Sequence, residues 1–280
     1  MLASAQHTPA APSYHSRPEA SGTLPGVSRV DEYRRALSRR RDFDAYLRTH
    51  SGLPGPRGNL ELAAAAAAEG DRRRFDRYLR LTPDQAPENT PGVFLVVCGT
   101  LGYGRLLAEG DHSLLPRLRR LANDPRWRVR EAVAMALQSW GDVDTSALLR
   151  EMRGWIRGSL LEQRAAVAAV CEPRLLTSRR TTNAVFALLD RATRHLPRQA
   201  DRKSEPFRVL RQALGYAWSV ALAADLELGR ERFERWAACD DPDIGWVVRQ
   251  NLSKNRLCRA DPAWTRRMLA LASSASLQAG

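Results

Sequence analysis

The sequence predicts an all-α superhelix built from stacked helix pairs, and three observations predict it. WRVREAV at 127–133 returns as WVVRQNL at 246–252, 119 residues further on, and each copy follows an Asp-Pro pair (124–125 and 241–242). Arginine recurs in the pattern R-x-[A/N]-[V/L] at Arg130, Arg164, Arg211 and Arg249, with gaps of 34, 47 and 38 residues. No segment shows the apolar/polar alternation of a strand. A repeat near 40 residues with helical periodicity means helix pairs. Each pair is too small to bury its own apolar stripe and must stack on its neighbours.

Taken in order, residues 1–30 are rich in Pro, Ser and Ala with little charge, and read as a disordered tail. They lack the apolar stretch of a signal peptide, and with only Arg17 and Arg29 they make a poor transit peptide. The repeat region is expected over 31–272, followed by a C-terminal tail at 273–280. Arg57-Gly58-Asn59-Leu60 reads as a degenerate early copy. The glycines of Gly99-Thr100-Leu101-Gly102-Tyr103-Gly104 are in the wrong order for a phosphate loop, and close helix packing explains them better.

Helices over 112–122, 145–157, 181–195 and 228–238 each precede an arginine-marked helix. In the first marked helix, Asp124 is expected as N-cap with Pro125 at the first helical position. Val129, Val133, Ala136, Leu137 and Trp140 form one apolar stripe, and Gly141 is the expected stop. Pro-rich loops fall at 82–92 and 196–206. Period and layout are those of HEAT-type repeats, five to six pairs in all, with the marked helices lining the concave face.

The charge is arginine: only Lys203 and Lys254 among 44 basic residues are lysine, and the net charge is +13. It comes in blocks. Residues 174–211 hold 10 basic against 3 acidic, and 249–267 hold 6 against 1, whereas 212–248 hold 3 against 7. Such an excess implies an acidic partner. Cys98, Cys171, Cys239 and Cys258 show no C-x-x-C spacing and read as small hydrophobes in a reducing, cytoplasmic setting. Five scattered histidines offer no metal site, and no cofactor is expected. The run Ala63–Ala68 is far too short to cross a bilayer, so no membrane partner is expected.

The repeated arginines allow two readings. Each can bond an acid or carbonyl of the adjoining repeat, or face a groove and meet phosphates. The first reading suits Arg130, Arg164, Arg211 and Arg249 better. Arg126 and Arg128, and the basic runs Arg179-Arg180, Arg198, Arg202-Lys203 and Lys254 with Arg256, are the phosphate candidates. Trp127, Trp140, Trp218 and Trp246 are expected mostly in the core.

QRAAV at 163–167 and FRVLRQALGYAW at 207–218 resemble segments of the bacterial HEAT-like DNA alkylation repair glycosylases. WGDVD at 140–144 is similar to that family's W-D-x-V-D motif, with Gly141 in place of the first acid. The resemblance implies that Asp144 is the catalytic carboxylate and that Trp140, Tyr216 and Trp218 supply aromatic contacts to lesion or backbone. It also implies that Arg164 is a groove arginine. In such chemistry one carboxylate stabilises positive charge developing on the sugar as an N3- or N7-alkylpurine leaves. Asp144 can equally be a helix N-cap. The expectation is therefore a monomeric binding module for duplex DNA, held independently of sequence. The alternatives are an alkylpurine glycosylase and a scaffold for an acidic protein.

Overall fold

A computed structural model describes residues 28–278, with side chains to residue 272. The reading of a disordered tail and transit peptide falls on residues that lie almost wholly outside this range. Among the described residues there are fifteen α-helices. The first eight are α1 (Arg29–Ser38), α2 (Phe43–Thr49), α3 (Leu60–Glu69), α4 (Arg72–Tyr78), α5 (Pro91–Ala108), α6 (Leu115–Leu121), α7 (Trp127–Val143) and α8 (Thr145–Trp155). The rest are α9 (Leu160–Val170), α10 (Arg179–His195), α11 (Glu205–Ala224), α12 (Leu226–Ala237), α13 (Pro242–Leu252), α14 (Asn255–Ala260) and α15 (Pro262–Gln278).

The odd-numbered helices pack one on the next from α1 to α15 and form the second row of the array. In the first row, α8 packs on α10 and α10 on α12. The result is an all-α, HEAT-like superhelical repeat. The pairs α6/α7, α8/α9, α10/α11 and α12/α13 are the regular ones. The helices run from Arg29 to Gln278, so α15 continues through most of the expected C-terminal tail.

Local chemistry sets the helix starts. Ser159, Ser178, Asp225 and Asp144 each accept a backbone N–H three residues on, capping α9, α10, α12 and α8. Each such cap contributes about 1 kcal/mol. Asp241 caps α13 by accepting from the N–H groups of Asp243 and Ile244, with Pro242 at the first position, the arrangement expected of the other Asp-Pro pair at 124–125. Asp124 does not cap α7. Its carboxylate instead takes the backbone N–H and the guanidinium of Arg126, and the helix starts at Trp127. Gly141 does not stop that helix, which ends two residues later. Arg57-Gly58-Asn59-Leu60 is no helical copy: it is a loop that ends where Asn59 caps α3.

The core runs continuously along the array, because α4 and α7 contribute to both halves of it: Phe75 and Val133 to one, Tyr78 and Val129 to the other. In the C-terminal half a chain of rings passes from Phe186 through Trp218 and Phe233 to Trp264, with centroids 5.7–6.0 Å apart. One helix, α5, is long and apolar enough to cross a membrane by composition. Its Leu, Val and Gly residues are buried among α2, α3, α4 and α7, so here it is a core helix. Its glycines permit that enclosure. A methyl on Gly102 would sit 2.4 Å from the Phe75 ring, and one on Gly104 would sit 2.5 Å from the Ala136 Cα.

Candidate nucleic-acid interface

The arginines at the start of α7 are tied into the fold. Arg126 is 5% exposed. It grips Asp124 through Nε and Nη2 (2.8 and 2.7 Å) and donates from Nη1 to the carbonyls of Leu81 (3.1 Å) and Ala86 (3.2 Å). Arg128 is also buried, and it donates to Glu88 (3.0 Å), the Gly55 carbonyl (2.7 Å) and Asn89 (3.2 Å). Arg130 bonds the carbonyls of Asp124 and Pro125 and pairs with Glu205 of α11 at 2.6 Å. The planar five-donor guanidinium suits this use, since it satisfies several loop carbonyls and an acid at once. Arg126 and Arg128 are therefore not phosphate ligands. Burial excludes a further anion from both, and the one Arg128 donor without a partner, Nε, is itself buried.

The same holds between later units. Arg164 on α9 pairs with Glu131 on α7, and Arg211 on α11 pairs with Asp243 on α13. Arg202 joins Asp241 and Asp243 at 2.8 and 3.1 Å. Arg164 and Arg202 thus serve as struts between elements. Arg179 is largely exposed and shares Asp225 and Glu227 at 3.8 and 3.4 Å, distances at which it is only loosely held.

The aromatic candidates divide. Trp140 is buried, in edge-to-face contact with His112. Trp218 is wholly buried, and its indole N–H donates to Thr193 Oγ1 at 3.0 Å. Neither ring can meet a ligand without unpacking the core. Tyr216 is half-buried. The Arg256 guanidinium lies 4.4 Å over its ring and donates to its hydroxyl at 2.5 Å. Asp144 sits at the α7–α8 junction, exposed, with Oδ1 accepting from the Ala147 N–H at 2.8 Å. Its observed role is the N-cap.

Among the described residues, Arg180, Lys203, Lys254 and Arg256 make no ion pair with a carboxylate. Two of the four, Lys254 and Arg256, lie beside α11, which carries two residues the sequence did not single out, Arg208 and Gln212. Arg208, Gln212 and Tyr216 recur at i, i+4 and i+8 on one exposed stripe of α11, and Arg208 too has no acidic partner. On α13 the half-buried Trp246 carries the Arg211 guanidinium 4.6 Å from its ring. Lys254 and Arg256 flank the start of α14, which packs on α11. The i, i+4 spacing from Arg208 was the signal available in sequence.

The cysteines differ from expectation in one respect. Cys98 and Cys171 are buried, and burial pushes both thiols well up, but Cys258 is exposed. No protein-family model, curated protein or solved structure matches this chain.

Proposed function

We propose that this protein holds duplex DNA by its phosphate backbone, without reading sequence, on the exposed side of the second-row helices α11 and α13 and of the α14 that packs on them. One observation carries the reading. Among the described residues Arg208, Lys254 and Arg256 lack acidic partners; Arg256 lies over the half-exposed Tyr216, Arg208 stands two turns before that ring on α11, and Lys254 opens the α14 that packs on α11. Unpaired cations supply counterion-release affinity, and a ring under a guanidinium offers a flat, amphipathic contact beside it. The net charge of +13 adds long-range attraction.

Fluorescence anisotropy with a labelled duplex at about 50 and 200 mM salt tests this. Affinity should fall steeply with salt and be indifferent to sequence. Replacing Arg208, Lys254 and Arg256 together with Ala should lower the salt slope by about 3, one for each lost phosphate contact. Absence of binding at the lower salt would overturn the proposal.

Excision of alkylated purines is the second reading. It rests on the exposure of Asp144, whose Oδ2 the capping bond leaves free. With Trp140 and Trp218 inside the core, Tyr216 is the one ring among the three candidates on offer to a lesion. Release of N7-methylguanine from a modified duplex, lost in Asp144→Asn, would establish it. Binding without release, unchanged in Asp144→Asn, leaves the binding module alone.

A further inference from the structure

The first row carries a second concentration of positive charge, made of different residues on different helices from the surface at α11, α13 and α14. Arg180, Asn183, Ala187, Arg191, Arg194 and Arg198 recur at intervals of three and four along α10 and the turn that follows it. All six are exposed. This is one continuous face of the helix. Opposite it, α12 presents Arg232, Arg235 and Trp236, again one turn apart. Two clefts of about 300 and 440 Å³ lie between these faces and share Asp190 and Arg194 as walls.

The acids in this region are engaged. Asp190 is 15% exposed and bonds Arg232 Nη1 at 2.7 Å and the Trp236 indole N–H at 2.8 Å. Arg232 is further fixed by Asn183 at 3.0 Å. Glu231 is tied to Arg235 at 2.9 Å on the surface. That leaves Arg191, Arg194 and Arg198 with no ion-pair partner among the described residues. Their shared field is visible on His195 between them. Its imidazole is held below the ordinary 6.5, first by burial and then by Arg191, Arg198 and Arg194. The His195 Nδ1–H donates to Gln163 Oε1 at 3.0 Å, which orients the ring.

A protein that needed these arginines only for packing would have paired them, as it pairs Arg126, Arg128 and Arg130. Here Asp190 orients two cleft-lining groups, while three neighbouring guanidinium groups stay unpaired at one-turn spacing. Arg191 to Arg198 covers about 10 Å of helix axis. The forks are therefore set out in series, and each matches the geometry of a phosphate. The clefts are too small to enclose a duplex.

We propose that the α10–α12 face is a separate binding site for a ligand carrying several successive phosphates. Two sources share that chemistry: a free oligophosphate and the backbone of a single nucleic-acid strand. The site uses different residues from the duplex-binding surface, so either can fail without the other.

Isothermal titration of the full chain with inorganic tripolyphosphate tests it, alongside a short single-stranded oligodeoxynucleotide and polyglutamate of matched charge. Tripolyphosphate should bind. Arg191→Ala, Arg194→Ala and Arg198→Ala together should weaken it at least tenfold, whereas the Arg208, Lys254 and Arg256 triple should leave it unchanged. All three first-row side chains are exposed, and an unchanged circular-dichroism melt checks that the variant folds. If the oligonucleotide loses affinity in the first-row triple as well, the nucleic-acid backbone is a ligand of the site. If only tripolyphosphate does, the ligand is a free oligophosphate. Equal weakening of tripolyphosphate by both triples would show an effect of net charge alone and overturn the site. Polyglutamate binding as tightly as tripolyphosphate would overturn its phosphate character.

Discussion

The start of α7 and the outer face of α10 each present three arginines within a few residues, and they put them to opposite uses. Arg126, Arg128 and Arg130 are buried and bonded to Asp124, Glu88, Glu205 and several loop carbonyls. Arg191, Arg194 and Arg198 are exposed and unpaired. The first set holds the loop at 82–90 and the neighbouring helix α11 against α7. The second set contributes field rather than packing. Arginine density therefore says nothing by itself about ligand binding. What distinguishes the two sets is whether distant residues deliver acids and carbonyls to them.

The largest test of this contrast is Arg126→Ala. It strands the buried Asp124 carboxylate and three carbonyls, those of Leu81, Thr82 and Ala86. Removing one partner of a buried pair costs about 3–5 kcal/mol, which guanidinium-chloride unfolding would read as a lower midpoint. A loss under about 1 kcal/mol would show that α7 does not depend on it. Next comes Asp144→Ala, which removes the α8 cap and should cost about 1 kcal/mol, while Asp144→Asn keeps the cap and the stability. The same pair of variants separates a structural from a catalytic carboxylate. If Asn is stable and base release is lost, the acid acts in chemistry as well.

Smaller still is Arg194→Ala, for which the expected change in stability is within about 0.5 kcal/mol, as for an exposed side chain without partners. A clear destabilisation would place α10 with α7. The finest test is His195, followed by NMR. Its folded-state value lies below the ordinary 6.5 because burial and three arginines oppose its charge. The folded protein then binds fewer protons than the unfolded chain. Stability due to this group is full above the unfolded value and is lost as pH falls through the window between the two. Removing Arg191, Arg194 or Arg198 should move the imidazole up, and so should tripolyphosphate, whose binding would be accompanied by proton uptake.

Much of the fold was legible because its signals are local and periodic. The echo at 127 and 246 exposed the repeat, and the helices expected at 112–122, 145–157, 181–195 and 228–238 correspond to α6, α8, α10 and α12. The same Asp-Pro pair caps a helix at Asp241, but the cap expected at Asp124 does not form, because that carboxylate has a stronger partner two residues away in Arg126. The candidate sites were less legible. Arg128 reads as exposed and basic until Gly55 and Glu88, 73 and 40 residues distant, arrive to occupy it. Trp218 and Trp140 match a motif yet fill the core, since helical repeats place large rings between units whatever their function. The α10 stripe was present at i, i+3 and i+7. In sequence it shows as a charge block, and only the α12 arginines across the clefts make it a site.

The contact of Gly104 on Ala136 has a mechanical consequence. A superhelical array bends at the joints between units, where side chains act as a compliant layer. Where Gly104 meets Ala136 the backbones of α5 and α7 approach with almost no side chain between them, so at that point the joint is stiff. Elastic strain is then carried by the later joints, where tryptophan and phenylalanine rings form the layer. Those joints lie beneath α10, α11 and α12, the helices that bear both cationic faces. A ligand clamped on either face would change the curvature of the C-terminal half and leave the N-terminal half unmoved.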